Sequence, residues 1–374
     1  MSLNRVCSSC FSDKDLRSWI RENNGPRGCN ACRKYDSPTV GFDVLVNYIE
    51  ERLRRYYGRA VDQLPYCSAE GGYLGPHWDS WDMLDKIGLD FPRDYTGSLR
   101  SDIASSMTDE PWTDKDVATL DLDDALWSSW ESFCSTVKHK RRFFFHATGS
   151  DDRDSYTSAS LLNKIARSID FHELITELPV DIRLWRARTD IPKRKRVTAT
   201  DFGPPPPQFA LQSNRLNPSG IPMFYLASST TTALKETRED KGKVGLWRSA
   251  RPIRVLDLRS LPDIPGIFSD EPPELAQTLS FLHDFTNDIM KPVPRSDKVQ
   301  IDYLPSQVVT EYFRDYEFVD GALDGVAYRS TVHRSGWNVA LFLGPEDLGL
   351  AKREWGVTPT PAFEFEKSVW ATSA

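Results

Sequence analysis

Four of the six cysteines stand in pairs, Cys7 and Cys10 in CSSC and Cys29 and Cys32 in CNAC, with eighteen residues between the pairs. Thiolates are soft donors, and a CxxC turn brings two of them to one ion. Two such turns supply the closed tetrahedron of a structural Zn2+ site. A four-thiolate shell leaves no place for a reacting water, so this metal is expected to support folding rather than catalysis. The plainer alternative is a set of free or redox-active thiols. Cys67 and Cys134 are scattered, and this usage suits a reducing cytoplasm better than a disulfide framework. A second group with chemical capacity lies in SNRLNPSGIPMFYLASSTTTALKETR, residues 213–238. Arg215 offers a cation for phosphate, Tyr225 an aromatic face and Glu236 a carboxylate.

The elements that would position these residues follow from local pattern. SNRLNPSG is turn-rich through Asn217-Pro218 and Ser219-Gly220. IPMFYLA has the length and apolarity of a buried strand. SSTTTALKETR reads as a helix with Ser228 or Ser229 as its N-cap. Loop, strand and capped helix together turn Arg215, Tyr225 and Glu236 towards one cleft. Around them, VDIRLWRAR reads as a strand whose apolar face shifts between Leu184 and Trp185, so a bulge or twist is expected. GPPPP cannot be a central strand, because proline lacks the ladder donor. RPIRVLDLRSL, GVAYRST and NVALFLG read as strands, and PELAQTLSFLHDFTNDIMKPV and YLPSQVVTEYFRDY as helices. Nearer the start, SDKDLRSWIRENN reads as a helix capped by Ser12, with Leu16 and Ile20 on one face. Leu45, Tyr48, Ile49, Leu53 and Tyr56 recur at helical spacing. The mixture predicts an α+β protein.

The ordered blocks GPPPP (203–207), NRLNPSGIPMFYLAS, TALKETR, YLPSQVVTEYFR (303–314), DGVAYRS (324–330) and NVALF (338–342) resemble the RES domain. They span roughly half of the chain. The resemblance implies an ADP-ribosyltransferase-like fold and an enzyme that degrades NAD by hydrolysis or phosphorolysis, often as a bacterial toxin. It also implies roles. Arg186, in LWRAR, would contact phosphate or ribose, and Arg215 would orient the dinucleotide. Tyr225 would lie beside nicotinamide, and Glu236 and Ser330 would be the family's glutamate and serine. Read without the family, Arg186 is a strand-face cation that shares its face with Arg188. Tyr225 is a core residue, Glu236 is a solvated helix residue no better than Glu239, and Ser330 carries no signal. His333 reads as structural. The cysteine-containing start resembles the zinc-binding N-terminal domain found before RES and HEPN modules.

A chain of 374 residues predicts roughly two or three domains. The boundaries expected are a zinc module at 1–40, a mainly helical domain at 41–150, a linker and helix at 151–180 and the RES domain at 181–374. The net charge of −7 gives no basic excess for a nucleic-acid backbone, and no apolar run is long enough to span a membrane. The basic cluster Arg52, Arg54, Arg55 and Arg59 reads as a solvated helix face balanced by Glu50 and Glu51. Arg141 and His146 fit the Arg-to-His spacing of HEPN ribonucleases, but RFFF between them reads as a buried strand that would hold them apart. The leading expectation is a toxin or defence effector that degrades NAD. Its partners would be an antitoxin or other regulator, or further copies of itself, and its N-terminal part would restrain it, sense a trigger or drive assembly. The alternatives are transfer of ADP-ribose to a macromolecule and a zinc-dependent, HEPN-like RNA-binding or RNA-cleaving protein.

Overall fold

The computed structural model describes residues 4–143, 150–292, 299–352 and 360–372. The chain divides into two units, one of Met1–Asp124 with Asp263–Thr278 and one of Ala125–Pro262 with Leu279–Ala374. Secondary structure is mixed in both; the α+β class matches the sequence reading, but short strands such as Tyr57–Arg59 and Trp112–Asp114 run through the region 41–150, expected to be mainly helical. Among the described residues, no helix is long and apolar enough to cross a membrane.

In the first unit, the short strands Arg5–Cys7 and Thr39–Gly41 pair antiparallel and frame the cysteines. The Lys14–Glu22 helix buries Leu16 and Ile20 completely. Its cap is Asp13, not Ser12: the Asp13 carboxylate accepts from the amides of Asp15 and Leu16 at 2.9 and 2.8 Å. A carboxylate at this place also complements the helix dipole. The Ser12 hydroxyl accepts instead from the Asp90 amide. The Phe42–Leu53 helix buries Leu45, Tyr48, Ile49 and Leu53, but ends before Tyr56. There the chain turns into the Tyr57–Arg59 strand, which pairs with Trp112–Asp114. The basic cluster is largely engaged within the unit. Arg54 pairs with Glu50, and Arg59 with Asp62 and Glu110. Arg52 pairs with Asp270, and Arg55 donates to the Ser269 and Glu271 carbonyls.

The second unit is built on an eight-stranded sheet. Across it, the strands run in the order Phe363–Thr372, Lys241–Ser249, Arg183–Arg188, Phe224–Ala227, Trp337–Leu341, Gly325–Arg329, Ile253–Asp257 and Ile175–Leu178. The pair Ile253–Asp257 and Gly325–Arg329 is parallel, and the other pairs are antiparallel. One face buries Phe224, Leu226, Trp247, Val255, Val339 and Leu341. The expected irregularity in VDIRLWRAR is absent. Arg183 to Arg188 pair in unbroken register with Arg248 to Lys243. Leu184 joins one apolar cluster while Trp185 and Ala187 join another, so the strand is covered on both faces. The register shift lies instead at Leu246/Trp247, opposite the edge strand Phe363–Thr372.

Close approach of backbones fixes Gly325 in this sheet. A Cβ there would lie 2.2 Å from the Ala340 carbonyl oxygen and 2.8 Å from the Leu341 Cα, which are rigid ladder atoms. Gly325→Ala must therefore spread two central strands. We expect a loss of about 2–4 kcal/mol in unfolding free energy, read by denaturant titration. The Leu122–His139 helix buries Trp130, which stacks on Phe133 at 5.4 Å and meets Phe285 edge-on at 5.0 Å.

Candidate functional site

The four cysteines converge. Cys7 ends the first strand, Cys10 closes the 3-10 turn Ser8–Cys10, and Cys29 and Cys32 flank the turn before the second strand. All four are buried, and their sulfurs lie within 4.8 Å of one another. Three separations are 3.8 Å (Cys7–Cys10), 3.5 Å (Cys7–Cys32) and 3.6 Å (Cys10–Cys29). A tetrahedral shell with metal–sulfur bonds of about 2.3 Å has sulfur–sulfur edges of about 3.8 Å. A disulfide would need about 2.05 Å. The cluster therefore fits a metal ion. The Cys29 sulfur also accepts from the Cys7 and Cys32 amides at 3.3 and 3.5 Å, which suits a sulfur carrying negative charge. Cys134 is unsuited to nucleophilic work, since burial pushes its thiol up to about 12.

Glu236 lies in the last turn of the Thr230–Thr237 helix. Ser229, rather than Ser228, is the N-cap: its side chain accepts from the Thr232 amide at 3.1 Å. Ala233 and Leu234 pack this helix against Ala187, Ala227 and Val244 of the sheet. Although Glu236 is exposed, its Oε1 is fixed by two donors, the Ser330 hydroxyl at 2.7 Å and the Asn338 Nδ2 at 2.6 Å. Both donors are buried, at 7% and 4% exposure. The Ser330 oxygen accepts from the His333 and Val332 amides at 3.0 and 3.3 Å, so its single proton is committed to the carboxylate. The His333 ring is held between the Thr232 and Ser335 hydroxyls.

Tyr225, Asn338 and Tyr328 share one face of the sheet, because Tyr225 opposes Ala340, Ala227 opposes Asn338 and Asn338 opposes Tyr328. The Tyr225 hydroxyl donates to Asn217 Oδ1 at 2.7 Å. Desolvation, then the neighbouring Tyr328, raises its pKa well above the ordinary value, so it stays a neutral donor. Burial also raises Tyr328, with the Glu236 charge adding to the shift and Arg215 opposing it. The Arg215 guanidinium lies 5.9 Å from the Tyr328 ring centre and 3.8 Å from the Met290 sulfur. Among the described residues it forms no ion pair. Its loop is clamped from the Leu304–Asp315 helix. Ser306 donates to the Arg215 carbonyl at 2.6 Å, and the Gln307 amide donates to Ser213 Oγ and to the Asn214 and Asn217 carbonyls.

Arg186 stands apart from the Glu236 cluster. The Arg183–Arg188 and Phe224–Ala227 strands are joined at the single pair Trp185–Ala227, which puts Trp185 on the Tyr225 face and Arg186 on the other. The Arg186 guanidinium rests 5.4 Å from the centre of the Phe224 ring, and its Nη1 is buried without a hydrogen-bond partner. Desolvation, then the Arg188 charge, lowers its pKa well below the usual arginine value, and Tyr225 is close enough to act in the opposite sense. Arg188 is engaged structurally: it donates to the Asp201 and Gly203 carbonyls at the start of the proline-rich segment.

The structure thus brings Glu236 and Ser330 into contact and places Tyr225 and Arg215 around Tyr328. Arg186 lies outside this group, on the opposite face of its strand. Sequence reasoning missed Asn338, Tyr328, Asn217 and Gln307. The signal for Asn338 and Tyr328 was their place inside the NVALF and DGVAYRS blocks, where both are polar-tipped residues in apolar runs. Of the ribonuclease-like pair, Arg141 is exposed just past the Leu122–His139 helix, while His146 lies outside the described residues.

The fold and site define a protein with a four-cysteine N-terminal unit and an α+β unit carrying a clamped carboxylate. Residues 22–151 match the HEPN/RES N-terminal domain 1 family, and residues 183–365 match the RES domain family. The chain belongs to the RES-domain proteins that carry this associated N-terminal domain. No curated protein matches it significantly.

Proposed function

We propose that the RES domain cleaves the nicotinamide–ribose bond of NAD, with water or phosphate as acceptor, on an ADP-ribosyltransferase-type fold. The observation that carries this reading is Glu236. A solvent-exposed helix carboxylate has no structural need for a buried serine and a buried asparagine on one oxygen. Here both serve to aim it, and its second oxygen has no partner among the described residues. Departure of nicotinamide leaves positive charge on the ribose, as in glycoside cleavage. A fixed carboxylate stabilises that charge and accepts a hydrogen bond from a ribose hydroxyl.

The other residues fit the remaining demands of the dinucleotide. Arg215 supplies a guanidinium group for the pyrophosphate, whose oxygens match its planar fork, whereas Arg186 would have to turn its unpartnered Nη1 from the opposite face of its strand to join it. Tyr225 and Tyr328 form a flat wall for nicotinamide. Ser330 acts by holding Glu236 and has no proton left for a nucleophilic role. The cysteine cluster would hold zinc in a structural capacity. In the cell, such an activity would serve a toxin or defence effector that a partner or the N-terminal region keeps in check.

The test is NAD cleavage by the full chain beside its Arg186→Met variant. A buried guanidinium nitrogen without a partner costs about 1–3 kcal/mol of folding stability. Methionine removes that cost while preserving much of the volume. We therefore expect Arg186→Met to unfold at higher temperature and to show at least a tenfold higher KM for NAD. Unchanged KM would remove Arg186 from the site.

A further inference from the structure

The Leu122–His139 helix lies within the sequence range matched by the N-terminal domain family, yet from Ala125 onward it is part of the RES-containing unit. It forms one wall of a cavity of about 280 Å3, whose other walls are the end of the Pro273–Met290 helix and residues 302–306. This cavity adjoins Arg215. Ser306, in its wall, donates to the Arg215 carbonyl. Met290, between the wall residues Ile289 and Lys291, touches the Arg215 guanidinium. Tyr303, also in the wall, is near enough to Tyr328 to raise its pKa, and Tyr328 lies beside Arg215.

We propose that this cavity receives the adenosine half of NAD, and that Lys138 and Asp302 are its specificity-determining pair. The inference rests on the NAD reading above. With the nicotinamide ribose at Glu236 and the pyrophosphate at Arg215, the second nucleoside would lie past Arg215, whose carbonyl is held by the cavity residue Ser306. The volume, just below the about 300–1,000 Å3 typical of ligand pockets, suits a single nucleoside. Its chemistry is balanced: Lys138 and Lys291 face Asp288 and Asp302. Asp288 is engaged, since Trp130 Nε1 donates to it at 2.9 Å. Lys138 and Asp302 form a partly exposed ion pair on the cavity wall, at 3.7 Å and so longer than a hydrogen bond. A carboxylate beside the adenosine ribose accepts from its hydroxyls and repels a 2′-phosphate, as acidic residues do in dinucleotide-binding folds. The cavity therefore selects NAD over its 2′-phosphorylated form, and the helix from the N-terminal domain region is part of the substrate site.

Calorimetric titration of ADP-ribose into the full chain tests this, alongside Lys138→Glu, Asp302→Asn and Asp302→Lys, with thermal unfolding as the check on folding. We expect Lys138→Glu to weaken ADP-ribose at least tenfold. Asp302→Lys should shift preference towards the 2′-phosphorylated dinucleotide by a similar factor, and Asp302→Asn should do so more weakly. The KM for nicotinamide mononucleotide, which lacks adenosine, should stay within twofold in all three. Folded variants that bind ADP-ribose as the parent does would overturn the assignment, even if the parent cleaves NAD. ADP-ribose binding that depends on Lys138 in a chain unable to cleave NAD would sustain the cavity and contradict the reaction.

Discussion

Glu236→Gln lowers the rate of nicotinamide release from NAD by about a thousandfold or more, with a much smaller change in KM. The side chain keeps its shape and loses its charge. On the proposed reaction its role would fall in the transition state, where the ribose becomes cationic, so the loss should appear in kcat. The surrounding donors sharpen the effect. Ser330 and Asn338 both point protons at Oε1. A glutamine must either offer them its carbonyl, at reduced strength, or turn its amide towards them and break both bonds. Ser330→Ala removes one hydrogen bond to a charged group, worth about 1.5–3 kcal/mol, and should slow the reaction roughly ten- to hundredfold. Glu239→Gln should leave it within twofold, since Glu239 lies past the helix end set by Arg238 in a left-handed conformation. Steady-state nicotinamide release on the folded variants decides the matter. Equal losses for Glu236→Gln and Glu239→Gln would refute the assignment.

If the four cysteines hold a metal, removing it, or replacing Cys29 with serine, should unfold the first unit. Structural zinc in small modules contributes about 10–16 kcal/mol at neutral pH, comparable to the whole stability of a domain. The cysteines belong to the same apolar cluster as Leu16, Ile20, Leu45 and Ile49, so losing the centre reaches the rest of that core. Cys29 is the most demanding position, because its sulfur also accepts two amide hydrogens. The purified chain should carry one zinc per molecule by elemental analysis. After chelation, amides of the Lys14–Glu22 and Phe42–Leu53 helices should lose hydrogen-exchange protection. Full protection in a metal-free chain would show the cluster to be a set of free thiols.

The residues legible in the sequence were those that local pattern marks. Two CxxC turns mark a candidate metal centre, and the four sulfurs do converge. An apolar run followed by a serine cap yields the Thr230–Thr237 helix to within a residue or two and the end of the Phe224–Ala227 strand, which starts three residues later than the run IPMFYLA. What stayed hidden depends on long-range register and packing. Asn338 becomes a partner of Glu236 because its strand pairs with Ala227, and no local rule sets that pairing. Arg186 and Arg188 are equivalent by alternation. They part only because carbonyls of the 201–203 segment occupy Arg188. The apolar stripe of the Leu122–His139 helix shows that a partner exists. That the partner is Phe285, far along the chain, is a tertiary fact. A fragment starting at residue 181 would expose that surface, so full-length protein is the proper object for activity measurements.

If NAD is broken at the nicotinamide–ribose bond with Glu236 as the stabilising carboxylate, NMR of the products after incubating the full chain with NAD, with and without phosphate, decides it. Free nicotinamide is expected, together with ADP-ribose in buffer alone or its 1″-phosphate if phosphate is the acceptor. Neither product should form with Glu236→Gln. Intact NAD after prolonged incubation with the folded chain would contradict it, as would ADP-ribose recovered only on macromolecules.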